Sequence, residues 1–124
     1  MHGPERFFED LTALGLSYHR QTAVNGQVFA IFPDYRVQGG RFAGRVIELG
    51  LEAVPSYPQA VAPSIHVHAT PQLFDYSDST ANVRNIIQSP LGAEWRYWSL
   101  NFSWTPGRTL GDLLGQISAV FRHA

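Results

Sequence analysis

His66 and His68 stand two residues apart in a run of β-forming residues, so both imidazoles project from one face of a strand, at a spacing where two rings can share a metal ion. A zinc site draws on three or four converging ligands. No carboxylate or third histidine stands at ligand spacing from this pair, and His2, His19 and His123 do not converge on it. The residues therefore read as two histidines on the outer face of a strand, with no metal and no cofactor. The chain has no cysteine, which removes disulfides, thiolate metal ligands and thiol nucleophiles together. A serine such as Ser99 is a far weaker nucleophile at neutral pH unless a base sits beside it. Trp95, Tyr97, Trp98, Phe102 and Trp104 form the densest aromatic group. Such a group can be a ligand platform, but rings on a strand packed beneath a helix are the commoner cause, and that is the reading here.

These residues need elements to hold them. From Arg45 onward, Ile47, Leu49 and Leu51 share one parity while Val46, Glu48, Gly50 and Glu52 share the other, the period of a half-buried strand over residues 45 to 52. Pro55 has no N–H for a ladder and stops it; Pro58 and Pro63 keep the following connection extended around Tyr57, and a second strand runs over residues 64 to 70. Before this core, residues 5 to 16 read as a helix with Phe7 or Phe8, Leu11 and Leu14 on one face, ended by Gly15. Residues 16 to 20 predict a short strand and residues 27 to 32 a longer one, with Pro33 and Asp34 starting its exit and Gly39 and Gly40 turning the chain into the strand that contains Ile47.

After the second strand, residues 71 to 92 are the least regular tract: Ser77, Asp78, Ser79, Thr80, Asn82, Asn85, Ser89, Pro90 and Gly92 argue for turns. A single helical turn fits residues 83 to 88. Leu110, Leu113, Leu114, Ile117 and Phe121 then fall at helical spacing, and Thr109 with Asp112 resembles a capping box. One α+β domain over residues 1 to 124 follows: N-terminal helix, antiparallel β-meander, irregular flap, aromatic strand, C-terminal helix. A net charge of −1 with scattered arginines gives no stripe for nucleic acid, and no apolar run is long enough for a membrane span. The first residues lack the regions of a signal peptide, so the expected compartment is the cytoplasm.

Gly44, the alternating run to Glu52, Pro55, Tyr57-Pro58, Pro63, the strand from Ile65, and Trp104-Thr105-Pro106 before the last helix come in the order found in the ubiquitin-conjugating (E2, UBC) superfamily, which the chain resembles over roughly residues 5 to 122. The nearest likeness is to short bacterial E2-like families found beside ubiquitin-like proteins and E1-like enzymes; their Trp-Ser pair is matched by Trp98 and Ser99. The resemblance implies a UBC-like fold with Trp104-Thr105-Pro106 opening the last helix, a first helix that presents an E1-binding face, and a binding corner at Pro55, Tyr57, Pro58, Val61 and Pro63. It implies as partners a ubiquitin-like protein, an E1-like enzyme or another E2. The sequence departs from the family in two respects: the His-Pro-Asn signature is absent, and the tract from Ser89 to Ser103 holds no thiol.

Three functions follow. The first is a non-catalytic binding module of a bacterial ubiquitin-like conjugation system. The second is a conjugating enzyme whose nucleophile has been replaced, at Ala93 or Ser99. The third is an unrelated small-ligand-binding domain using the aromatic group or the histidine face. All nine basic residues are arginine. A GC-rich genome explains this; beside an isopeptide-forming system it also leaves the α-amine of Met1 as the chain's one acceptor amine.

Overall fold

The computed structural model describes residues 2–76, 78 and 83–124. Met1, Ser77, Ser79, Thr80 and Asn82, which enter the sequence reading as an acceptor amine and as turn residues, lie outside the described residues. The elements are α1 (Pro4–Ala13), β1 (His19–Thr22), β2 (Val28–Arg36), β3 (Val46–Glu52), β4 (Ser64–His68), β5 (Val83–Ser89), β6 (Gly92–Leu100) and α2 (Leu110–Arg122). The six strands form one antiparallel sheet in the order β1-β2-β3-β4-β6-β5. The chain is therefore α+β, with a helix at each end. Among the described residues no helix is long and apolar enough to cross a membrane.

Alternation decides which face is which. Ala30 and Phe32 of β2, Ile47, Leu49 and Leu51 of β3, Ile65 and Val67 of β4, and Trp98 and Leu100 of β6 point to one face, where Phe7, Phe8 and Leu11 of α1 and Leu110, Leu113, Ile117, Val120 and Phe121 of α2 close a single core. We call this the inner face. α2 starts where its capping box dictates: Thr109 Oγ1 accepts from the Asp112 N–H, and Asp112 accepts from the Thr109 N–H, a bond that also lowers the pKa of its carboxyl.

Several local expectations give way. α1 ends at Ala13, short of residue 16, with Leu14 as its C-cap and Gly15, as expected, turning the chain away at φ 76° while the Leu16 N–H returns to Leu11 O; Leu14 is 48% exposed rather than packed. β1 begins at His19, three residues later than the pattern suggests. β2 does not leave the sheet at Pro33: the register slips between Phe32 and Tyr35, so the residue without an N–H falls where the ladder is interrupted, and the strand continues to Arg36. The chain then makes turns through residues 39 to 44, and β3 starts at Val46. Residues 83 to 88 are strand, not a helical turn. Register shifts between Val83 and Asn85 and between Gln88 and Ser89 leave every third position buried, Val83 and Ile86 in the inner core and Ser89 against the opposite face, which imitates a helical period. Trp104-Thr105-Pro106 precedes α2 rather than opening it, since the first helical residue is Leu110.

Candidate functional site

Between β3 and β4 the chain from Ala53 to Pro63 closes on itself around Tyr57. The Tyr57 N–H donates to Val54 O at 3.2 Å and the Gln59 N–H to Ser56 O at 2.8 Å, and the Tyr57–Pro58 bond is cis. Three distant segments then bind this clasp. From the start of α1, the Gly3 N–H donates to Tyr57 O at 2.7 Å. From the body of α1, Asp10 accepts the Tyr57 hydroxyl at 2.6 Å while also pairing with Arg6 at 3.1 Å. From the approach to α2, the indole of Trp104 donates to Pro58 O at 2.8 Å. The clasp's exit is fixed as well, because the Leu100 N–H at the end of β6 donates to Pro63 O.

Tyr57 is thereby 2% exposed, its ring edge-on to Phe7 at 5.2 Å and tilted against Trp104 at 6.1 Å. Burial first, and then the hydrogen bond and charge of Asp10, push its phenol pKa well above the ordinary tyrosine range, so it stays a neutral donor at any physiological pH. Beside this joint lies a cavity of about 290 Å³, lined by Arg6, Asp10, Leu14, Pro58, Arg108 and Leu110 among others. Its size falls at the low end of ligand-pocket volumes. Arg108 belongs to this corner and is not singled out by sequence pattern, whereas Leu14, placed by its spacing on the apolar face of the first helix, lines the cavity instead. Arg108 stands one residue before the capping box, so its place beside the start of α2 was legible there.

The binding residues chosen from sequence divide into two groups. Pro55 and Pro63 are exposed and Pro58 is half-buried, whereas Tyr57 serves the interior. Val61 also turns inward, packing against the main core near Phe7, Leu51 and Leu113. The outward surface of the clasp is therefore Pro55, Ser56, Gln59, Ala60 and Pro63. Ser99 lies within β6, paired with Ser64 on one side and Asn85 on the other, and is 8% exposed. Ala93 is exposed near the β5–β6 turn, where its carbonyl accepts from Arg96 at 3.0 Å. The two are not brought together.

The aromatic group splits by parity: Trp98 faces the inner core, Trp95 and Tyr97 the other side, and Phe102 and Trp104 pack at the edge of the core. The histidines require correction. His66 is not an outer surface residue but 1% exposed, and His68 has carboxylates beside it after all, Glu48 at Nδ1 and Glu94 at 3.4 Å from Nε2. These carboxylates approach different ring nitrogens, and among the described residues no three histidine, aspartate or glutamate side chains gather where a metal could be held. A wider cleft of about 510 Å³ lies at the β2 bulge, between Leu16, Asp34, Arg36 and Ser118, away from every residue chosen from sequence.

Comparison with models of known protein families, with curated proteins and with solved structures finds no match.

Proposed function

We propose that this chain is an E2-like, UBC-type component of a bacterial ubiquitin-like conjugation system, acting as a non-catalytic binding module for a ubiquitin-like modifier, an E1-like enzyme or a second E2. One observation carries the reading. The Tyr-Pro of the clasp, the first helix and the Trp-x-Pro before the last helix, which are far apart in sequence, meet at one joint through Tyr57 to Asp10 and Trp104 to Pro58. The absence of any thiol argues for binding rather than acyl transfer, and Ser99, enclosed between two strands, offers no accessible hydroxyl in its place.

A clasp already held by backbone bonds and prolines loses little further conformational freedom when a partner docks on Gln59, Ala60 and the neighbouring prolines. Titration calorimetry against ubiquitin-like and E1-like proteins encoded beside the gene tests this. Ala60→Arg, at an exposed position, is expected to weaken capture by about 1–3 kcal/mol with an unchanged melting temperature. Val61→Asp is a poor probe, because its side chain belongs to the core. Unchanged affinity in folded Ala60→Arg removes the clasp as the docking surface, and no binding by the unaltered chain overturns the function.

A further inference from the structure

The face of the sheet opposite the helices is buried at its centre, although no helix covers it. Phe29 and Ile31 of β2 are fully buried there with Trp95 of β6 and Ala23, and Leu91 packs on them. Leu91 comes from the two-residue turn that joins β5 to β6. It lies directly on β3 at Gly50: a Cβ built there would stand 3.1 Å from Leu91 Cδ1 and 3.3 Å from both His66 Cβ and Ile31 Cδ1. A side chain at this position would push its neighbours, Leu91 of the turn among them, outward by a few tenths of an ångström. The register shift between Gln88 and Ser89 bends the hairpin just before its tip.

The polar contact from the turn into this face goes to His66. Its Nδ1 is 2.7 Å from Ser89 Oγ, and both side chains are buried. The Leu91 N–H donates to the same Ser89 oxygen at 3.1 Å, filling one of its two lone pairs and leaving the serine hydrogen free to reach Nδ1 when the imidazole is neutral. We infer that the β5–β6 turn is an acid-released latch: the Ser89 hydroxyl holds it on the outer face by donating to neutral His66, and protonation of His66 frees it.

The surroundings offer an imidazolium no carboxylate. β2 presents Phe29, whose ring meets the imidazole at 4.7 Å. β6 presents Tyr97, edge-on at 5.2 Å, with Trp95 and Ser99 on the same face. β3 presents Gly50, flanked by Glu48 and Glu52, and Glu48 is engaged by His68. β4 itself adds Ser64 and His68, and the hairpin arm adds Glu94, which also faces His68. No carboxylate offsets the burial of His66, which alone lowers its pKa from 6.5 to about 4. On protonation Nδ1 becomes a donor and the bond to Ser89 can persist only reversed, so the serine hydrogen loses its acceptor and a charge sits among aromatic rings. Lifting the turn lets water reach all three.

Amide exchange followed by NMR from pH 7 to pH 3.5 tests the latch. In the unaltered chain the Ser89, Leu91 and Gly92 amides should lose protection with a midpoint between pH 4 and 5, while the amides of Ile117 and Phe121 in α2 stay protected. Ser89→Ala should raise Leu91 exchange on the order of tenfold already at pH 7, the loss expected for about one hydrogen bond, and move the His66 midpoint upward. His66→Gln, which can accept from Ser89 but does not titrate, should abolish the acid step. Simultaneous loss of protection in the turn and α2 overturns the latch, as does an unchanged acid step in His66→Gln. Should that variant not fold, an unaltered Leu91 exchange rate and His66 midpoint in Ser89→Ala overturn it equally.

Discussion

The two faces of the sheet are buried by different means. The inner face is covered by two helices whose apolar stripes match strand alternation, and no ionisable side chain but the Tyr57 phenol is buried in that core. The outer face is covered at its centre by a hairpin turn, and a histidine and a serine are sealed under it. The first arrangement follows from periodicity and buries no histidine or carboxylate; the second adds to its apolar contacts a hydrogen bond to a neutral imidazole. Burial alone does not say how a region will respond to stress. What does the burying decides it.

The largest expected effect lies on the inner face. Leu49, fully buried at the centre of β3, should lose about 2–5 kcal/mol of stability in urea melts as Leu49→Ala, with no dependence on pH between 4 and 7. The outer face should show the reverse dependence. His66 binds its proton near pH 6.5 in the unfolded chain and near pH 4 in the folded one, so the unfolded state holds more protons throughout that window. The stabilisation is therefore complete above about pH 6.5 and falls by roughly 3 kcal/mol as the pH drops to about 4. His66→Gln should flatten this slope. If the turn lifts at lower cost than global unfolding, the loss levels off early, and the plateau measures the free energy of lifting it.

Tyr57→Phe should have the smallest effect of the three. It deletes the hydroxyl that Asp10 accepts but leaves that carboxylate its partner Arg6, so about 1–2 kcal/mol is expected, read as a lower midpoint in urea with an unchanged slope. A loss as large as that of Leu49→Ala would mean that the clasp is part of the inner core rather than a joint at its edge.

The same contrast explains what the sequence made legible. The alternation around Ile47, the spacing from Leu110 to Phe121 with its Thr109 cap, and the burial of Tyr57 among prolines are local signals, and the structure has them. Burial of His66 is not local: its parity correctly assigns it to the outer face, but the cover comes from Ser89 and Leu91, more than twenty positions later. Bulges concealed β5, because they changed its period from two to three. The role of Asp10 is equally non-local, since nothing nearby in sequence announces that a hydroxyl 47 residues away will donate to it.

The strand order has a consequence for how the chain is made. β4 lies in the middle of the sheet, yet its second neighbour is β6, not β5, so one edge of β4 stays bare until residues 92 to 100 have been synthesised. β5 emerges from the ribosome first and is itself a strand with a free edge. A nascent chain halted between the two holds an unpaired strand beside an unclaimed template, the condition under which the wrong pairing, or another copy of the chain, can take the vacant place. β4 gains its second neighbour only through β6, which also carries β5 as its hairpin partner. The step most exposed to aggregation in a growing cell is therefore the interval between the translation of β4 and that of β6.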